Sequence, residues 1–316
     1  MRVSDSNRNT VYTADVQQRL ANLVRIQREL GTGQRIFQPS EDTENAGQMF
    51  RAERSLAENA QYQRNIGDGQ NWLNAADASL QAVVDLISEV DALALAADNS
   101  SQNPDDRNNT AIQLDQKLEV LATLLNTQHN DRYIFGGFQT VAAPFTYARN
   151  DAGRITGATA VQETLPGQIY RRISEGEDVQ INVTGADLFQ PLGAAQTTDD
   201  LVYVIAQLRN TVGNYNQPPE GEEATLSNEA LRNSLSAIRE RIVAKQTYVG
   251  SIGQRLEDTL ARLKSEAVNL TDEQEQAGGV DLTELVSRLA TEQGAYDALL
   301  SISSSILNKS VVDYIL

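Results

Sequence analysis

Between about residues 226 and 277, Leu231, Leu235, Ile238, Ile242, Val249, Ile252, Leu256, Leu263 and Leu270 fall on one heptad grid, interrupted at Lys245 and Thr259. Apolar residues spaced alternately three and four apart form a single stripe on one face of a helix, the seam of a coiled coil. A helix of about 50 residues would measure about 75 Å, too long for a compact globule. For this seam the expected use is the core of a bundle within the chain.

The two ends carry seams of their own. In the head, Val16, Leu20, Leu23 and Leu30 recur at helical spacing; in the tail, Leu282, Leu285, Leu289, Tyr296, Leu299 and Ile306 do so. Termini are usually the frayed part of a domain. Amphipathic helices at both extremities are expected to pair with each other and with other subunits, and these ten residues are the candidate assembly positions.

Composition narrows the alternatives. Hydrophobic residues make up 40% of 316 and aromatics only 5%, so the cores are aliphatic, as in helical bundles. The formal net charge is -17, a surface that repels nucleic-acid phosphates and anionic lipid. No nucleic-acid or membrane partner is therefore expected. There is no cysteine, which removes disulfides, thiolate nucleophiles and cysteine-ligated metals together. The opening residues have no apolar core of a cleaved signal peptide, and no apolar run approaches the ~20 residues of a membrane span.

A pass along the chain gives mainly α structure. Residues 4–30 read as a helix stopped by Gly31-Thr32-Gly33, and 34–42 as an extended connector. A helical pattern follows to Asn99, with Gly67 and Gly69 as its weak point at ~1 kcal/mol each relative to alanine. Pro104-Asp105-Asp106 opens a helix over 104–129 in which Leu114, Leu118, Leu121 and Leu125 repeat. Glycines, phenylalanines and short alternating segments then mark a β-rich insertion over 136–192, with strands at Ile169–Ile173 and Val179–Val183 and a hairpin turn at Asn150–Gly153. Residues 198–212 return to helix, 214–223 form a loop, and Gly278-Gly279 separates the long helix from the last one. The expected fold is an elongated helical coiled-coil rod with nested termini and a small β-rich domain. Its parts are 1–42 plus 278–316 as a terminal coiled-coil core, 43–135 plus 193–277 as a helical rod, and 136–192 as an outer domain.

Chemistry is sparse. His129 with Asp131 and Arg132 is the one cluster resembling acid–base machinery, and a histidine near a helix C-terminus is more readily a dipole partner than a catalyst. Asp105-Asp106, Asp199-Asp200 and Glu222-Glu223 suit capping or solvated positions better than a cation site. Gly31-Thr32-Gly33 lacks the lysine of a phosphate loop. Arg171-Arg172 reads as a solvated strand edge. No catalytic, cofactor-binding or metal-binding residue is expected, and no cofactor.

Five segments resemble one family. Leu30–Ile36 with Gln38–Asp42 is similar to the (L)STGKRI…PSDDP signature of flagellin-superfamily proteins. Arg132-Tyr133-Ile134-Phe135-Gly136-Gly137, followed by Thr140 and Pro144-Phe145, resembles the RYIFGG…T…PF hallmark of the hook-associated protein 3 branch. Gly250–Leu256 looks like its LGxxxNRL segment, Asp281–Glu284 like the opening of its last helix, and Ser310–Ile315 like its SLLDYL terminus. Departures are Gln34 for the usual lysine, Gln254 for asparagine and Thr43 in place of a proline.

The resemblance implies a structural adaptor of the bacterial flagellum, joining the hook side, through hook-associated protein 1, to the flagellin filament. It implies a ring of about eleven copies, export through the flagellar type III apparatus to an extracellular position, and an export chaperone on the C-terminal helix. A flagellin filament subunit is the alternative. A helical-hairpin signalling protein is disfavoured by the β-rich segment, and an enzyme by the lack of a recognisable site.

Overall fold

The computed structural model describes residues 2–98, 103–160, 167–188, 197–213 and 226–315; for 2–9, 159–160, 186–187 and 303–315 it describes the backbone alone. Glu222-Glu223 and the loop over 214–223 lie outside the described residues, as does most of the turn before Pro104. The fold is mainly α. Among the described residues seven helices run in the order α1 (Arg2–Thr32), α2 (Thr43–Ala97), α3 (Pro104–Leu125), α4 (Gly185–Leu188), α5 (Leu201–Val212), α6 (Asn228–Gly278) and α7 (Leu282–Ile315). Between α3 and α4 lie three antiparallel hairpins: β1 (Gln128–His129) with β2 (Arg132–Tyr133), β3 (Phe145–Arg149) with β4 (Ile155–Ala160), and β5 (Tyr170–Ser174) with β6 (Glu177–Gln180). The chain divides into two compact units, one made of Met1–Asn59 with Lys264–Leu316 and the other of Ala60–Leu263.

In the unit Ala60–Leu263, α2 and α6 run antiparallel. Arg232 meets Asp91 at 2.7 Å, Asn228 donates to the Ala94 carbonyl at 2.9 Å, and Gln246 donates to Gln81 at 2.9 Å. Along the α6 seam Leu231, Leu235, Ile238, Ile242, Val249, Ile252, Leu256 and Leu263 are all buried; Thr259, which breaks the apolar pattern in sequence, is buried among them, while Lys245, the other interruption, is half-buried between Ile242 and Val249. Opposite them α2 presents Ile66, Leu73, Ala76, Leu80, Val83, Ile87, Val90 and Ala94 at the same three–four spacing. Leu114, Leu118, Leu121 and Leu125 of α3 and most of α5 join the same core.

The expected weak point in α2 does not break the helix, and at one of its two glycines it serves packing. The helix passes through Gly67 and Gly69 unbroken. At Gly69 a Cβ would lie 3.0 Å from Ile181 Cγ2 and 3.3 Å from Leu256 Cδ1. The missing side chain therefore lets a strand-end isoleucine and the α6 seam close onto the α2 backbone. Gly67 has open space around it, so its cost is purely conformational.

The third helix is shorter than expected. It ends at Leu125, and Gln128 to Tyr133 form a tight hairpin whose turn residues Asn130 and Asp131 both take positive φ, 50° and 59°. Asparagine and aspartate tolerate that geometry best among non-glycine residues, which suits a two-residue hairpin turn. His129 accordingly sits in a strand rather than at a helix C-terminus. Its ring meets Trp72 edge-on with centroids 6.4 Å apart. The fifth helix begins at Leu201 rather than 198, because the Asp200 carboxylate accepts from the Val202 and Tyr203 amides and caps it.

The β hairpins do not build a core apart from the helices. Phe145, Ile155, Ile173, Val179 and Val183 share one buried cluster with α2, α3, α5 and α6. Arg209 of α5, 2% exposed, ties this cluster together by meeting Asp115 of α3 at 2.6 Å and donating to the Ile155 carbonyl of β4 at 2.8 Å. A buried guanidinium is tolerated only when its donors are matched in this way.

Candidate assembly surface

The unit Met1–Asn59 with Lys264–Leu316 contains all ten sequence-derived assembly residues. Its base is a backbone clamp. Gly33 takes φ +69° and ends α1, its amide returning to the Glu29 carbonyl at 2.8 Å. The chain then extends, Gln34 bridges Gly279, and the Arg35 amide donates to the Gly278 carbonyl at 2.7 Å. Gly279 is required by space, since a Cβ there would meet the Glu275 carbonyl at 2.5 Å, whereas a Cβ on Gly278 would lie 2.6 Å from Met49 Sδ and would displace that flexible side chain.

The connector after α1 is held by charge. The Arg28 guanidinium stacks over Phe37 at 3.8 Å, Arg35 bonds Asp42 at 3.2 Å, and Glu41 accepts from the Phe37 amide at 3.1 Å. Asp42 also caps α2 through Asn45, whose side-chain and backbone hydrogen bonds hold the Asp42 carboxyl below its ordinary range, with Arg35 adding to the effect. At the start of α7, Asp281 accepts from the Thr283 amide at 2.8 Å and the Glu284 amide at 3.1 Å.

Above the clamp α1 and α7 pack against each other, antiparallel. On α1 the inward row is Tyr12, Val16, Arg19, Leu23, Ile26 and Leu30; on α7 it is Leu285, Leu289, Glu292, Tyr296 and Leu299. Both rows step alternately by three and four. Leu23, Ile26 and Leu285 are buried, while Val16, Leu30, Leu289, Tyr296 and Leu299 are half-buried. Leu20 and Leu282 point away from this seam and are 48% and 57% exposed. The side chain of Ile306 lies outside the described residues.

Four seam members were not among the sequence candidates, Tyr12 at the outer end of the α1 row being the first. Ile26 completes the head row, and Arg19 and Glu292 occupy seam positions as an ion pair at 2.8 Å. The signal for Ile26 was present, since 16, 19, 23, 26 and 30 form a regular heptad. A charged residue at position 19 hid it and made Leu20 look like the missing member. The Glu292 carboxylate hydrogen-bonds Arg19 and holds its guanidinium above the ordinary arginine pKa.

The faces turned away from the seam remain apolar in patches. Val11, Leu20 and Val24 on α1, and Val286, Leu300 and Ile302 on α7, are 43–56% exposed. Isolated exposed aliphatics need no explanation, but six on two paired helices, beside Leu282, are an uncovered surface. A groove of about 600 Å³ runs beside the clamp, lined by Arg25, Glu29, Arg35, Asp281, Arg288 and Glu292 among others. Its mixed charges favour no single ion. Among the described residues no group of three or more histidines and carboxylates is placed to hold a metal, and no helix is long and apolar enough to cross a membrane.

Residues 3–140 match the bacterial flagellin N-terminal helical region. The chain is 24% identical over 316 residues to flagellar hook-associated protein 3 of Salmonella typhimurium, covering 94% of each chain. It is 24% identical over 277 residues to flagellar hook-associated protein 3 of Escherichia coli, covering 85% of this chain and 86% of that one. The solved structure of Bacillus cereus FlgL superposes with a TM-score of 0.55 at 23% identity, covering 71% of this chain and 99% of that one, a likeness of fold. Over 94% of its length the chain is similar to flagellar hook-associated protein 3, and over residues 3–140 to the bacterial flagellin N-terminal helical region.

Proposed function

We propose that this protein is a structural subunit of the bacterial flagellum, seated at the junction between hook and filament, with no catalytic step in its role. The observation that supports the reading most is the two-faced terminal pair. One face of α1 and α7 is consumed by their own seam, and the other keeps Leu20, Val24, Leu282 and Val286 open to solvent. Such a surface gains most when neighbouring copies or partner subunits cover it.

In this reading residues 1–42 with 278–316 form the assembly domain, 43–135 with 193–277 support it, and 136–192 face outward. Partners are hook-associated protein 1 on one side, flagellin on the other, and further copies of this chain in a ring of about eleven. Export proceeds through the flagellar type III apparatus, with a chaperone shielding the apolar stripe of α7. The flagellin-type match over residues 3–140 favours a second reading, a filament subunit. The two part on behaviour: a filament subunit polymerises from purified protein into long fibres, whereas a junction protein does not.

The test substitutes the open face. Leu20→Asp with Val286→Asp should abolish incorporation into hook–filament particles and motility while leaving the helical content of the purified chain unchanged. Leu285→Asp and Leu289→Asp, inside the seam, should also block assembly without unfolding residues 60–263. Normal particle composition and swimming in the Leu20→Asp, Val286→Asp cell would refute the reading.

A further inference from the structure

The two rows of the α1–α7 seam hold one charged residue each, Arg19 and Glu292, opposite in sign and in contact; Glu29, buried beside the α1 row, is paired with Arg25 of its own helix at 2.9 Å. Arg19 Nη1 meets Glu292 Oε2 at 2.8 Å, with the side chains 41% and 21% exposed. Every other described member of the two rows is aliphatic or tyrosine. Below this pair the backbone clamp of Gln34 with Gly279 and Arg35 with Gly278 ties the chain just after α1 to the chain just before α7.

A purely aliphatic seam discriminates poorly. The α1 stripe would accept an α1 stripe from another copy, and α7 another α7, with similar apolar burial. The charges change that. Pairing α1 with α1 in parallel sets guanidinium against guanidinium, and pairing α7 with α7 sets carboxylate against carboxylate. Only the mixed antiparallel pair neutralises both. The attraction in an exposed pair is small, about 0.2–1 kcal/mol, so the discrimination comes mainly from what the wrong pairings suffer.

We infer that Arg19 and Glu292 are a partner-selection key, which makes the terminal helices of one chain pair with each other and not with the like helices of other copies. A chain that keeps apolar outer faces on the same helices has particular need of such a key. The inference concerns pairing within one chain and does not depend on the flagellar role.

The absence of native cysteine makes the test clean. Val16, half-buried on the α1 seam one turn from Arg19, is replaced by cysteine in the full chain, and disulfide-linked dimers are measured after mild oxidation. In the parent the cysteine faces α7, so few dimers form. With Arg19→Leu and Glu292→Leu added, dimers should rise several-fold at equal protein concentration. With the charges exchanged, Arg19→Glu and Glu292→Arg, they should fall back to the parent level. Circular dichroism confirms that each variant keeps its helix; where the leucine pair does not, Arg19→Gln with Glu292→Gln takes its place with the same expected rise. Equal cross-linking in the neutral and parent chains overturns the inference, and so does an exchanged pair that cross-links like the neutral one.

Discussion

The chain contains two antiparallel pairs of long helices, and they are finished differently. In residues 60–263, α2 and α6 bury a long ladder, and α3, α5 and the hairpins join its core, so that Leu80, Leu114, Leu231 and Ile242 have no exposed surface. In the terminal unit α1 and α7 meet along a single narrow stripe, and only Leu23, Ile26 and Leu285 of its apolar members are fully buried. The comparison teaches what a heptad pattern alone leaves open. The same spacing serves a closed core when further elements supply a third and fourth side, and an open interface when none does.

The difference can be tested by equal substitutions in the two pairs. Leu118→Ala, at a fully buried site of α3, should cost about 3 kcal/mol, the ordinary cost of a core cavity. Leu289→Ala, on the half-buried terminal seam, should cost about 1 kcal/mol, since less apolar surface returns to water. Thermal unfolding followed by circular dichroism, with hydrogen exchange to localise each effect, measures both. Equal losses at the two sites would show that the terminal seam is as closed as the core.

A smaller effect separates two neighbouring glycines of α2. Gly69→Val should cost about 2 kcal/mol by overpacking against Ile181 and Leu256. Gly67→Ala, in open space, should stabilise by about 0.5–1 kcal/mol through helix propensity. A stabilising Gly69→Val would mean that α6 and the strand end can retreat, and that the core is looser than its burial indicates.

The smallest effect is at the α5 cap. Burial raises the Asp200 carboxyl above its ordinary pKa, against the two amide hydrogen bonds that lower it. A carboxyl raised on folding contributes stability below its unfolded pKa and loses that contribution as pH rises through the folded value. At neutral pH the buried charge is therefore a net cost. Asp200→Asn keeps an oxygen for the Val202 and Tyr203 amides and should stabilise slightly at neutral pH, the gain vanishing in the acid range. A gain that grows with acidification would reverse the assignment. In the terminal unit Asp42 shifts the other way, lowered mainly by Asn45, so its contribution is present at neutral pH and fades as pH falls.

Much of this architecture was legible before the structure. The long helices, the stop at Gly33, the break at Gly278-Gly279, the hairpin turn at Asn150–Gly153 and the pairing of the two ends all follow from periodicity and from residues with strong local preferences. The candidate surface was legible in part. Leu23, Leu285 and Leu289 lie on the seam, but Arg19 and Glu292 do too, and a reading built on apolar residues passes over charges that neutralise each other only across two distant segments.

Local chemistry is fixed by neighbours in sequence, and so the chain by itself determined where helices begin, where they end and which stripe each offers. Tertiary structure decided the rest. It made Gly69 a contact rather than a flaw, because Ile181 and Leu256 arrive from more than a hundred residues away. It turned Arg209 inward against Asp115 and Ile155. It left Leu20 and Leu282 outside the seam, because which face of an amphipathic helix is covered depends on the shape and charge of the partner it meets.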